Sequence, residues 1–174
     1  MRYSHNISLT DAQKGYIAGF IDGEGYFSLS VNRCNVQEAK RGFTWHVLLV
    51  LCNTNFEVLK HIKQTIGGGS LREIKASSLE RARIPHKKPI FRLTICSNII
   101  RKLLPQICEY LIVKKEEASL VMKSLKLLEG NNGWQTKRDD ELLKSIYTQL
   151  RKLRRKARPL SNNLGLDQPQ VKES

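Results

Sequence analysis

The chain has 174 residues, 40% of them hydrophobic, which is enough for one domain with a real core and too apolar for a disordered chain. It carries 30 Lys and Arg against 16 Asp and Glu, a formal charge of +14 that points to a polyanionic partner, nucleic acid being the usual one. No apolar run approaches a membrane span and the N-terminal MRYSHNISLTDAQ lacks the apolar stretch of a secretory signal, so neither a membrane partner nor export is expected.

Thr10 followed by Gln13 has the spacing of a capping box, so a helix should start near Asp11 and run to about Gly23. Gly15, Gly19 and Gly23 recur every fourth position and make a smooth stripe where another backbone can approach. Tyr16, Ile17, Phe20 and Ile21 lie mainly off that stripe and can face a core. Glu24 then falls between Gly23 and Gly25, where the helix must end. A helix C-terminus already collects unpaired carbonyls and partial negative charge, so a carboxylate there is unfavourable unless a cation is bound. A close-packed pair of such helices, each ending in an acid, is a candidate metal site at an interface.

Tyr26 to Asn32 alternates apolar Phe27, Leu29 and Val31 with polar Ser28, Ser30 and Asn32, the pattern of a half-buried strand. Gly42 to Cys52 reads as a second strand. Its faces are Trp45, Val47, Leu49, Leu51 and Thr44, His46, Leu48, Val50, with the buried side left open. Phe56 to Ile66 has helical periodicity and stops at Gly67-Gly68-Gly69. Ser70 to Ala76 is a short third strand, residues 77 to 88 a basic loop, and Pro89 to Cys96 a fourth strand. Helices are expected over Asn98–Leu111, interrupted or bent at Pro105, over Val113–Leu128, and from Thr136 to about Arg158. The basic run at 151–158, suited to phosphate contact, closes a single domain spanning 1–158, and the polar stretch 159–174 is expected to be a flexible tail. The four cysteines show no Cys-x-x-Cys pair, which excludes an obvious zinc site and fits a reducing intracellular compartment.

Residues 17–25, Ile-Ala-Gly-Phe-Ile-Asp-Gly-Glu-Gly, resemble position by position the LAGLIDADG motif of homing endonucleases, with conservative replacements. The element order over roughly residues 10 to 130 resembles the αββαββα core of that family. The resemblance implies an α+β fold: a curved four-stranded antiparallel sheet, a saddle for DNA, covered by helices on one face and followed by C-terminal helices. One motif copy is present, and family members with one copy work as homodimers; here Gly15, Gly19 and Gly23 would form the dimer interface. The implied activity is that of an intron-encoded homing endonuclease making a Mg²⁺-dependent double-strand break at a long pseudo-palindromic site. An RNA-binding intron maturase, with intron RNA as partner, and a DNA-binding relative whose catalysis has lapsed are the alternatives. The compartment would follow the intron: a chloroplast, a mitochondrion or a prokaryotic cytoplasm.

Hydrolysis of a phosphodiester needs an activated water, relief of phosphate charge and a stabilised leaving oxygen, all within reach of a divalent metal. Glu24 occupies the position of the family's metal-binding acid, and the Gly23 carbonyl is a plausible second ligand for Mg²⁺. Asp22 points away from Glu24 and reads as structural. By resemblance Lys114 is the basic residue aimed into the site, and Asn53 stands where relatives carry a solvent-positioning Gln; Asn55 could share that task. Contacts to double-stranded DNA are expected from Ser28, Ser30, Asn32, Arg33, Thr44, His46, Arg72, Arg81, Arg83, Lys87, Lys88 and Arg92, with strand residues reading bases and loop residues gripping phosphates.

Overall fold

The computed structural model describes residues 7–33, 43–74, 88–129 and 136–156. Its elements in order are α1 (Asp11–Glu24), β1 (Gly25–Arg33), β2 (Phe43–Asn53), α2 (Phe56–Thr65), β3 (Ser70–Glu73), β4 (Phe91–Cys96), α3 (Ser97–Ile107), α4 (Lys115–Leu127) and α5 (Lys137–Lys156). The fold is α+β, with a curved antiparallel sheet of order β1-β2-β4-β3.

The Thr10 capping box forms: the Thr10 hydroxyl accepts from the Gln13 amide at 3.3 Å, and the Gln13 side chain accepts from the Thr10 amide at 2.9 Å. Ile17, Ala18 and Ile21 form the buried face of α1. The helix turns directly into β1 at Gly25, whose amide donates to the Ile21 carbonyl. A Cβ at Gly25 would lie 2.8 Å from that carbonyl oxygen and 2.8 Å from a Leu51 methyl, so only glycine permits so abrupt a junction.

Register decides which strand faces are buried. Phe27 pairs with Leu49, Leu29 with Val47, Leu49 with Ile95 and Leu51 with Leu93. All of these are 0 or 1% exposed, and they pack under the helices with Leu59, Ile62, Leu103, Ile107 and Val121. The Trp45–Leu51 face of β2 is thus the core side, settling the choice that its sequence left open. Trp45 also donates its ring N–H to the buried Asp140 carboxylate at 3.2 Å, docking α5 against β2.

Three expectations are corrected. Tyr16 is 49% exposed, because the core side of α1 is filled by Ile17, Ala18 and Ile21, with the half-buried Phe20 packed against them. Pro105 does not interrupt α3, which runs on to Ile107; it lies on an exposed face, and its missing N–H leaves the Arg101 carbonyl without its helical partner. The helices foreseen over 98–111 and 113–128 are shorter, because residues 112–114 give their amides to α1 rather than to a helix of their own.

Candidate active site and nucleic-acid interface

Glu24 and Gly23 close α1 and are both exposed. Their surroundings are fixed by Asp22. Its carboxylate accepts three successive backbone amides, from Ile112 at 2.7 Å, Val113 at 3.2 Å and Lys114 at 2.9 Å. Ile112 and Val113 belong to the turn that leads into α4 and Lys114 is its N-cap, so the carboxylate sits just ahead of the helix, where hydrogen bonding and the helix dipole both favour it. Lys114 answers by donating its ammonium to the Asp22 backbone carbonyl. Asp22 and Lys114 therefore clamp each other, and the clamp holds a cation at the end of α1, two residues from Glu24. Asp22 serves the scaffold, as its direction on the helix implied.

A second strap lies at the other end of α1. The Tyr110 hydroxyl donates to the Asp11 carboxylate at 2.9 Å, and Lys14 reaches the same oxygen at 2.8 Å. These bonds, the Lys14 bond foremost and then the Tyr110 bond, hold the exposed Asp11 carboxyl below its ordinary range. To make its bond, Tyr110 lies along α1 past Gly15, where a Cβ would stand 3.9 Å from its ring. A Cβ at Gly15 would thus be in ordinary van der Waals contact with the Tyr110 ring of its own chain. At Gly19 and Gly23 a Cβ would meet nothing within 4 Å, so this part of the stripe stays open.

Asn53 ends β2 on the side of the sheet where α1 enters β1, since Gly25 pairs with Leu51. Its side-chain oxygen accepts from the Asn55 amide at 2.8 Å. Asn55 in turn caps α2, accepting from Glu57 at 3.0 Å and Val58 at 3.3 Å. Both side-chain oxygens are thus engaged in local backbone bonds, which leaves the amide NH2 of each as the group able to meet solvent.

The face of the sheet away from the helices gathers the residues expected to read DNA. Ser28 pairs with Leu48, Ser30 with His46 and Asn32 with Thr44. Arg92 pairs with Cys52 on one side and Arg72 on the other. Thr44 and His46 share a 2.7 Å hydrogen bond along their strand, and Arg72 reaches the Ser70 hydroxyl at 3.4 Å. Lys88 is exposed beside β4. Arg33 ends β1, its side chain lying outside the described ones; Arg81, Arg83 and Lys87 also lie outside the described residues.

Two residues of this region carry no motif signal. Arg154 belongs to the basic run expected to contact phosphate, yet it turns inward. Its guanidinium donates to the Phe27 carbonyl at the free edge of β1 and lies 5.6 Å from the Tyr26 ring centre. Glu117, in the first turn of α4, is buried. Burial raises its carboxyl above the ordinary value, against the pull of Lys114 and Arg154, and Asp22 adds to the rise. The spacing Lys114 to Glu117 would have placed both on one helix face, the single hint the sequence offered.

A divalent metal fits the donors present. Among the described residues no three His, Cys, Asp or Glu side chains cluster as a ready ligand set. Mg²⁺ does not require one: it commonly keeps several waters and takes one or two carboxylates with substrate phosphates. The exposed Glu24 carboxylate, next in sequence to the Gly23 carbonyl, suits that coordination.

The family model described as LAGLIDADG endonuclease matches residues 17–125. Among solved structures, the archaeal intron-encoded homing endonuclease I-Vdi141I, complexed with DNA, is 23% identical with a TM-score of 0.65, covering 82% of this chain and 84% of its own. The homing endonuclease I-CvuI, with the I-CreI target in 2 mM Mg, the DNA uncleaved, is 17% identical with a TM-score of 0.60 over 82% of each chain. I-SmaMI, bound to uncleaved DNA target with calcium ions, is 24% identical with a TM-score of 0.63 over 83% of this chain and 46% of its own. These likenesses are likenesses of fold. No curated protein matches the sequence.

Proposed function

The chain belongs to the LAGLIDADG endonuclease family, and from that membership we propose that it is a homodimeric, Mg²⁺-dependent homing endonuclease that cuts both strands of a long pseudo-palindromic DNA site. The observation that carries the reading is the reciprocal Asp22–Lys114 clamp, which fixes a cation beside the acid that closes the motif helix. DNA complexes of I-Vdi141I and I-SmaMI, and the Mg and Ca structures of I-CvuI, support double-stranded DNA as substrate and a divalent ion as cofactor.

In this reading Glu24 and the Gly23 carbonyl hold the metal, which when bound supplies charge relief at the phosphate and a more acidic water. Lys114 places its ammonium where negative charge develops. Asn53 orients solvent through its amide group. The open sheet face presents Ser28, Ser30, Asn32, Thr44, His46, Arg72 and Arg92 to base edges, while Lys88 grips phosphate. The charge of +14 suits that substrate. A second copy is favoured by apolar surface at the same end of α1. Ile112 is 86% and Val113 68% exposed, beside the open Gly19 and Gly23.

The test is cleavage of DNA carrying the intronless insertion site. Wild-type protein with Mg²⁺ should cut it; Glu24→Gln should bind the same DNA and leave it intact. Equal cutting by the variant would remove Glu24 from the mechanism.

A further inference from the structure

Glu117 is the third residue of α4, and a Glu there ordinarily reaches back to the amide of the residue that caps the helix. Here that amide, on Lys114, is taken by Asp22. Glu117 is thereby released from capping and turns into the protein, where it is 6% exposed. Its Oε2 is buried without a hydrogen-bond partner, and so is the Nε of Arg154. A buried carboxylate costs several kcal/mol unless cations compensate it. Lys114 and Arg154 are the two cations that act on it, while Asp22 opposes its charge. Arg154 is itself fixed to β1 through Phe27 and Tyr26, a few residues beyond Glu24.

We propose that Glu117 is a positioning residue of the cleavage site, its buried carboxylate bonded to neither Lys114 nor Arg154 but acting on both through charge, so that the ammonium over the end of α1 is coupled to α5 and to the start of β1. A leucine would fill the space at less cost, so a buried acid here has its use in placing charge rather than in packing. The consequence is that α5, which lies outside the matched motif region, helps to set the geometry of cleavage. The proposal rests on Lys114 acting in the reaction as described above.

The variant to make is Glu117→Gln, which keeps the shape and removes the charge. DNA affinity is read in Ca²⁺ and single-turnover cleavage in Mg²⁺. Cleavage should slow about 10- to 100-fold, the usual effect of losing an outer-shell partner, with affinity within about twofold and the fold no less stable. Arg154→Gln should slow cleavage too, and the double variant should be no slower than the worse single one. Wild-type cleavage by Glu117→Gln, or strictly multiplicative losses in the double variant, overturns the proposal. Should wild-type protein cut no DNA, the functional reading fails first. Unfolding of the metal-free protein then judges Glu117 by itself: Glu117→Gln and Lys114→Met should be non-additive by about twofold or more in the unfolding constant, and additivity rejects the linkage.

Discussion

The end of α1 and the open face of the sheet are built on opposite plans. At the helix end the polar groups are spent on one another: Asp22 takes three amides and its carbonyl takes the Lys114 ammonium. Across the sheet face, Ser28, Ser30 and Asn32 make no side-chain hydrogen bond with any described residue, and Arg72 has only a long one to Ser70. Groups that must stand at fixed positions are pinned by internal bonds, whereas those expected to recognise another molecule, the hydrogen-bonded pair Thr44 and His46 apart, are left largely unsatisfied until it arrives. Catalysis needs placement within a fraction of an ångström, and recognition needs free donors and acceptors.

That contrast can be broken by loosening the pinned end. Asp22→Asn removes the charge that three amides share, and hydrogen bonds to a charged group contribute about 1.5–3 kcal/mol each at most, not additively. Urea unfolding should show a loss of about 2–3 kcal/mol, and cleavage should fall further than stability explains. A stable, fully active Asp22→Asn protein would mean that the clamp is ornamental.

The open face should behave differently. Arg72→Ala should leave stability unchanged and relax base preference at one position per half-site, by about 1–3 kcal/mol. Profiling cleavage over a library of single-base target variants measures this. A uniform loss at every position would make Arg72 a phosphate contact instead.

The smallest effect concerns pH. Glu117 has its proton affinity raised by burial, so its contribution to folding is fully present below the ordinary carboxyl value of 4.5 and is lost as pH rises through the raised one. Glu117→Gln cannot ionise. Its stability relative to wild type should therefore improve between about pH 4 and about pH 7, as read by urea unfolding at both. A gap that narrows over the same interval would show Glu117 to be well compensated as an anion.

The fold was legible where local chemistry decides it. Thr10 and Gln13 placed the start of α1, the alternation of Phe27 through Asn32 gave β1 its faces, and the glycines after Ile66 ended α2. The buried face of β2 was not legible, because Leu48 and Val50 are as apolar as their neighbours and only register with β1 and β4 separates them. At the candidate site, the motif and its surroundings single out Glu24 and Lys114 as the residues to test. The bond that joins α1 to α4 was not, since Asp22 and residues 112–114 stand about ninety positions apart and no periodicity links them. The inward turn of Arg154 leaves no trace in the sequence for a similar reason. In a run of like charges, nothing local says that one member turns back onto the strand that follows the motif. Long-range polar bonds leave little trace in a single sequence, whereas caps, alternation and glycine stops leave a clear one.

The cleavage centre is probed with least interference in a mixed dimer, in which one wild-type chain is paired with one Glu24→Gln chain and given the intact target in Mg²⁺. One working carboxylate should serve one strand, so the product should be nicked duplex with the opposite strand whole. Double-strand breaks at the wild-type rate from that mixed dimer would contradict a cleavage centre built on the acid at the tip of each motif helix.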